Sequence, residues 1–549
     1  MGFIEFFNLE NIQFLIAIFL SVINSVLLIL ISKKFLQILQ ISNYKIRGYS
    51  VWLMDTKAKY ISRIALLCFL SLACALVTNA LFNVTGTGAN FAYFGLIFYI
   101  YFSIVFIINM IKLPQKTPLV QTRRMSRITT LLFLFSFVIT FVFIWLSEIY
   151  LTFLSVGIIT ITPLLLPILV PLVHFMLVPL EGLLRLNYIR RAKNKLAKRT
   201  DLIKIGITGS YGKTSVKYIL NAMLSEKYNV CMTPHSFNTP MGLTKVVLNY
   251  LKNENNILIA EMGARQEGDI KFLCDLIKPH HGIITGVGSQ HFQTFGSLEN
   301  IAKTKNELVL ALPDSAYVVF NGDSKNCKMM FNTCQLKNKF IISLSKKSEL
   351  VIENIKLSEN GTGFMLKYQG NSVECQTALL GKHNLLNILL SACLAIKLGV
   401  SLEKISKAIK SLEPVPHRLQ PIENGNVLVL DDAYSSNDEG AKNAVEVLKF
   451  FEGKIKICIT PGIVELGEKE DNINQEFGKQ LAEVCDYIII VNKVNSESLK
   501  KGLLSKKMEE ENIFVVENLD LAKQKLKELI SPENKYAVLF ENDLPDNYT

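Results

Sequence analysis

The ten cysteines of this chain include no Cys-x-x-Cys pair, which removes zinc ribbons and thioredoxin-like redox sites from consideration. Cys68 and Cys74 lie in an apolar stretch, and the other eight read as small core residues of a reduced, cytosolic domain. No basic residue precedes the first apolar run, which follows Glu5 and Glu10 and is too long for a signal h-region, so no cleavable signal peptide is expected. Internal repeats and low-complexity tracts are also lacking. Bases exceed acids, 59 to 47, but most of the surplus flanks hydrophobic stretches. The imbalance therefore reads as membrane topology, and nucleic acid is not an expected partner.

Long apolar runs dominate the first third. Five stretches, about 12–32, 62–83, 91–111, 128–147 and 151–178, suit a bilayer that takes roughly 20 residues per helix. Their connections alternate in charge. Lys33, Lys34, Lys45, Arg47, Lys57, Lys59 and Arg63 fill the first, Lys112, Lys116, Arg123, Arg124 and Arg127 the third, and Arg185, Arg190, Arg191, Lys193, Lys195, Lys198 and Arg199 follow the last. The second and fourth carry no base. The positive-inside rule then predicts a multi-pass protein of the cell membrane, its N-terminus outside and everything after residue 180 in the cytoplasm. Pro163, Pro167 and Pro171 predict a kinked or broken last span, and His174 within it is either a substrate-path residue or a satisfied interfacial one. Residues 183–199 predict a basic juxtamembrane helix on the anionic leaflet.

Leu202 to Ile207 is a short β-branched run that stops at Thr208-Gly-Ser-Tyr-Gly-Lys-Thr214, after which Val216 to Leu224 is helical in pattern. This is the order strand, phosphate loop, helix. Gly209 and Gly212 let the backbone curl around an anion, with Ser210 and Ser215 alongside. The helix N-terminus adds positive potential, Lys213 reaches the phosphates, and Thr214 offers a hydroxyl to Mg²⁺. Hard Mg²⁺ also wants a carboxylate, and Glu261, ending the strand Ile257–Ala260, stands where an α/β sheet places its ligands. Further strands are expected at Gly282–Thr285, Tyr317–Asn321 and Phe340–Ile342, antiparallel strands in 350–380, and two helices in 384–412. Beyond Pro414 and Pro416 a second alternating series has strands near 427–431, 455–459, 487–491, 513–516 and 536–540.

The loop has Ile207 where the common P-loop has its first glycine, and this shorter Thr-Gly-x-x-Gly-Lys-Thr form resembles that of the Mur ligase family. The likeness continues in order through Thr285 to Glu307, Gly381-Lys-His383-Asn384-Leu-Leu-Asn387, His417-Arg418, Asp431-Asp432-Ala-Tyr434-Ser-Ser-Asn437 and Pro461-Gly-Ile-Val-Glu465-Leu-Gly467, and it is closest to MurF-type ligases. The resemblance implies that His291 and Lys305 help hold a second Mg²⁺, with Lys305 carbamylated. It also implies that Asn384 and Asn387 contact adenine, and that Arg418 and Asp432 complete the ATP site. The expected catalytic residues are Lys213, Lys305 and His291. The expected metal ligands are Thr214, Glu261, His291 and Lys305.

This chain departs from the family where Asp438 replaces a proline, in the segment Thr233 to Gly242 with its acceptor contacts, and before residue 201, where no uridine-nucleotide-binding domain fits. The expected architecture is an N-terminal helical transmembrane domain (1–184), a basic linker (185–200), a P-loop central Mur ligase domain of α/β type (201–413) and a Rossmann-like C-terminal domain (414–549). Such a chain would be an ATP- and Mg²⁺-dependent amide ligase that joins a carboxylate to an amine through an acyl phosphate, on an envelope precursor that is lipid-linked or free. The alternative is a regulatory nucleotide-binding membrane protein derived from a ligase. An ATP-driven transporter is disfavoured because the spans lack a charged pathway.

Overall fold

The computed structural model describes residues 9–42, 44–55, 59–84, 92–111, 118–150, 157, 159–288, 292–345, 348–359, 361–434, 437–464 and 466–542. His291, Ser435, Ser436 and Glu465, singled out from the sequence, lie outside them. The chain divides into two compact units, Met1–Arg185 and Leu186–Thr549.

In the first unit, helices α1 (Leu9–Ile41), α3 (Lys59–Val84), α4 (Ala92–Ile111), α5 (Arg123–Tyr150) and α6 (Leu166–Ala197) fall on the apolar stretches, and a short helix α2 (Ile46–Asp55) follows α1. Among the described residues four helices are long and apolar enough to cross a membrane, and Leu96–Met110 is a shorter apolar helix. Five spans were expected, and helices stand at all five stretches, four of them meeting that length and composition among the described residues. In the last span the regular helix is interrupted by a 3-10 turn, in keeping with the expected kink or break. Pro163 sits in a 3-10 turn, Thr162–Leu165, and Pro167 in the first turn of α6, where a missing N–H costs nothing. With those two absorbed, α6 stays helical past Pro171 and Pro179 and carries the basic segment as its own last turns.

The first unit is held by a core including Leu28, Ile31, Phe35, Leu132 and Val170 and by buried polar links. Asn24 joins three helices, donating to Thr140 Oγ1 (2.8 Å) and accepting from Tyr99 OH (2.9 Å). Such bonds fix helix pairing where apolar surface alone does not.

The second unit contains two large sheets, one parallel and one parallel except at an edge strand. The first has order β2-β3-β1-β4-β5-β6, with β1 (Ile203–Thr208) central between β3 (Ile257–Glu261) and β4 (His281–Ile284), then β5 (Val318–Asn321) and β6 (Lys339–Ile342). Its strands are apolar on both faces because helices cover both, as buried parallel strands require. The edge strand β2 (Val230–Met232) is only three residues long and was not expected. An antiparallel sheet, β7 (Leu350–Ser358), β8 (Gly361–Tyr368) and β9 (Asn371–Thr377), and helices Lys382–Lys397 and Leu402–Lys410 follow, as the sequence predicts.

The second large sheet runs β10-β11-β15-β12-β13-β14: β11 (Val427–Asp432), β12 (Ile455–Thr460), β13 (Tyr487–Val491), β14 (Ile513–Val516) and β15 (Tyr536–Glu541) are parallel. Strand β10 (Gln420–Asn424) was also unexpected. It pairs antiparallel at the edge, the one place where its Pro421 does no harm.

Candidate active site

The C-terminal ends of β1, β3 and β4 converge on the glycine-containing loop 209–212. Helix α7 (Lys213–Ser225) starts directly after it, with Gly212 at its N-cap in the left-handed region (φ 76°) that glycine enters without strain. Gly209 is required by close approach: a Cβ there would run into Thr285 Oγ1 and sit 2.9 Å from the Gly286 carbonyl oxygen. Ser210 N donates to that carbonyl (2.7 Å), Thr285 Oγ1 donates to the Tyr211 carbonyl, and the Tyr211 ring covers Gly286. The loop is thereby clamped to residues 285–288 before any ligand arrives.

Lys213 folds back over the loop, donating to the carbonyls of Gly209 (2.8 Å) and Ser210 (3.0 Å). Burial, reinforced by the Arg418 cation and opposed by Glu261, pushes its ammonium down to about 8. Thr214 Oγ1 lies 3.3 and 3.2 Å from the two Glu261 oxygens, so two expected metal ligands from different elements do meet. Glu261 is 1% exposed. Burial would raise its pKa, but the charges of Lys217 and Lys213 and hydrogen bonds from Lys217 and Asn238 hold it below the ordinary carboxylate value.

Lys217 and Asn238 give the site two members whose roles the sequence did not reveal. Lys217 Nζ is 3.0 Å from Glu261 Oε2, with both side chains buried, and Asn238 Nδ2 donates to Oε1 at 3.0 Å. Lys217 follows Lys213 by one helical turn, which was the available signal, but apolar neighbours disguise it as a solvated helix lysine. Asn238 lies in the segment Thr233 to Gly242, where this chain departs from the family pattern.

Lys305 lies on helix α8 (Leu298–Leu310), which Ser297 caps by accepting from Asn300 N. It is 3% exposed and makes no hydrogen bond or ion pair among the described residues. Burial first, then the nearby Lys213 charge, push its ammonium down to about 7, against the pull of Asp269 and Glu307. A large fraction is therefore the neutral amine at neutral pH. Lys303 is exposed and pairs with Glu267. His291 is not among the described residues, so its expected place beside Lys305 stays an expectation.

A cavity of about 250 Å³ opens beside the loop, lined by Gly212, Ser215, Asn384, Asn387, Arg418 and Asp432 among others. Gly209, Ser210, Lys213 and Thr214 form the adjoining loop and helix start. Helix α9 (Lys382–Lys397) brings Asn384 and Asn387 there; Asn387 Nδ2 donates to Asn384 Oδ1 (3.3 Å). His383 lies against the same cavity with Nδ1 unpartnered among the described residues, and burial pushes its imidazole down to about 4. Arg418 is presented by a tight loop in which His417 and Leu419 have positive φ (59° and 46°). His417 Nδ1 bonds Asp431 Oδ2 (2.8 Å), and Leu419 N donates to Asp432 Oδ1 (3.1 Å). Asn437 caps helix α10 (Asp438–Lys449), accepting from Gly440 N (2.8 Å). Asp438 is that helix's first residue, where an acid is as welcome as the proline it replaces.

Asp432 faces Glu541 across the β11–β15 register. Both are buried, and Glu541 carries no local signal in the sequence. Burial raises both carboxyls, Asp432 to about 7 and Glu541 well above its usual value; the Asp432 charge adds to the rise at Glu541, while the Arg418 cation opposes both and the hydrogen bond with Glu541 opposes that of Asp432, so the pair holds a proton at neutral pH.

Residues 207–395 match the family model of the Mur ligase middle domain. Beyond it, the chain is 30% identical over 277 residues to the UDP-N-acetylmuramoyl-tripeptide--D-alanyl-D-alanine ligase of Escherichia coli (strain K12), an alignment covering 50% of this chain and 61% of that protein. It is also 30% identical over 276 residues to the enzyme of the same name from Bacillus subtilis (strain 168), covering 50% and 59%. The chain thus spans about three fifths of the length of these curated relatives. MurF ligase from Thermotoga maritima in complex with ADP superimposes with a TM-score of 0.57 at 26% identity, over 65% of this chain and 80% of that one. MurF from Acinetobacter baumannii gives a TM-score of 0.60 over 65% and 77%, and at 24% identity speaks to the fold.

Proposed function

We propose that this protein is a membrane-embedded, ATP-dependent amide ligase of MurF-like type acting on a peptidoglycan-related envelope precursor. Residues 1–184 would form the transmembrane domain, 185–200 a basic linker, 201–413 the central ATP-binding domain and 414–549 the C-terminal domain. The observation that carries the reading is the meeting of Thr214 with buried Glu261 beside Lys213, inside the segment that matches the Mur ligase middle domain.

In the proposed reaction the γ-phosphoryl group of ATP passes to a substrate carboxylate, giving ADP and an acyl phosphate. The acceptor amine attacks the acyl carbon, phosphate leaves with the bonding pair, and the amine gives up a proton. Lys213 exchanges the carbonyls of Gly209 and Ser210 for phosphate oxygens and offsets charge on the transferring group. Bound Mg²⁺ would supply further charge neutralisation, held by Thr214 and Glu261 with His291 and a carbamylated Lys305; the short Thr214–Glu261 separation and the unpartnered, easily neutralised Lys305 suit that set. Asn384 and Asn387 are assigned to adenine, and Arg418 and Asp432 to the rest of the nucleotide, since all four line one cavity.

The relatives' names point to a muramoyl-peptide carboxylate and a D-alanyl amine as substrates. Four apolar helices and the alternating basic connections support a cell-membrane protein with cytoplasmic catalytic domains, whose muramoyl-peptide substrate is lipid-linked. Mass spectrometry of envelope precursors after depletion of the protein tests this. A muramoyl-peptide lacking its terminal residues should accumulate, and an unchanged precursor pool contradicts the reading.

A further inference from the structure

At one end of the first unit three side chains form a cluster that the ligase reading leaves unused. Tyr44, in the turn after α1, has φ 60°, a left-handed conformation uncommon for a non-glycine residue. Its ring lies 3.8 Å below the Arg124 guanidinium carbon and 5.8 Å from the His174 ring. His174 is 3% exposed, and its Nε2 lies 3.1 Å from the Tyr44 carbonyl oxygen. A carbonyl only accepts, so Nε2 carries the hydrogen and Nδ1 is either a bare acceptor or, on protonation, a second donor.

Nδ1 of His174 and Nε of Arg124 are both buried, and neither has a partner among the described residues. Nearby groups are satisfied in contrast. Arg127 is paired with Glu181 at 2.6 Å, and Gln40 exchanges two hydrogen bonds with Val120 in the segment leading to α5. Arg124 is stacked but has no carboxylate partner among the described residues, and its neighbour histidine offers a second nitrogen that donates only once an arriving anion favours its protonation. A buried guanidinium nitrogen and a buried imidazole nitrogen that donates once protonated, set against one tyrosine ring, make a receptor for an anion.

We propose that Arg124, His174 and Tyr44 form a binding site for the phosphoryl group of a membrane lipid. Arg124 donates from its fork, His174 Nδ1 takes up a proton and donates too, and Tyr44 holds both in place. The lipid source follows from placement. Arg124 opens, and His174 lies within, helices long and apolar enough to span a bilayer, where a lipid phosphate is the anion at hand. The assignment rests on the reading of residues 1–184 as membrane-embedded, but its test reads binding without ATP, so failure of the ligase chemistry does not affect it.

The experiment is a native mass spectrometry titration of the full-length protein in a phosphate-free detergent, with a polyprenyl phosphate, the matching polyprenol and inorganic phosphate as probes. The polyprenyl phosphate should bind about tenfold more tightly than either other probe. Arg124→Gln and His174→Phe should each remove most of that preference, and Arg124→Lys should keep part of it. Equal binding of the polyprenol overturns the proposal without reference to any variant. So does inorganic phosphate matching the lipid, and so does a wild-type preference in Arg124→Gln protein that elutes and melts as wild type.

Discussion

Lys217 on helix α7 and Glu261 at the end of β3 form an ion pair of 3.0 Å in which neither side chain is more than 1% exposed. Removing one partner leaves the other charged in low dielectric, which costs more than the pair contributes. Lys217→Met should therefore destabilise the second unit by roughly 3 kcal/mol at neutral pH. The sign with pH follows from Glu261, whose folded pKa lies below its unfolded one. Its stabilisation is present above the unfolded value and lost as pH falls through the folded value. The melting difference between wild type and variant should shrink in acid, and a difference that stays constant with pH contradicts the pairing.

Lys305 must be neutral to capture carbon dioxide. With its ammonium pushed down to about 7, turnover should be level above that pH and fall as pH drops through it. Lys305→Ala should lose activity at least about a hundredfold and recover part of it with added short carboxylic acids, which replace the missing anion. A fully active Lys305→Ala enzyme removes this residue from the mechanism.

Asp432 and Glu541 hold a proton that their unfolded counterparts release, so the pair's contribution to stability declines as pH rises from about 4 towards 7. Glu541→Gln keeps the shape and removes one titration. Its melting temperature should match wild type near pH 4 and exceed it increasingly towards neutrality. A variant less stable than wild type at neutral pH would mean that Glu541 is ionised and paired.

The loop and its flanking strand and helix were legible because everything they need is local: β-branched residues, two glycines and Gly-Lys-Thr at the junction. The strand ends carrying Glu261 and Asp432 were legible for the same reason. Lys217 was not, since its partner is 44 residues away and meets it only through β3 packing beside β1. Glu541 was hidden in an apolar terminal run, where only the β11–β15 register sets it against Asp432. The strands missed were those whose local signals are weakest: β2 with three residues, and β10 with a proline. In the last apolar span the interruption falls at Pro163, while the α-helix that follows continues through Pro171, which local proline counting does not distinguish.

The central claim concerns coupled chemistry at Lys213, and one measurement addresses it directly. Full-length protein in lipid nanodiscs is supplied with ATP, Mg²⁺, a lipid-linked muramoyl-peptide and D-alanyl-D-alanine, and ADP, phosphate and amide are quantified together. Wild type should form the three products in equal amounts, and Lys213→Ala should form none while still inserting in the membrane. Phosphate release by Lys213→Ala at the wild-type rate, or ATP hydrolysis by wild type without amide from either a lipid-linked or a soluble muramoyl-peptide, would contradict the account.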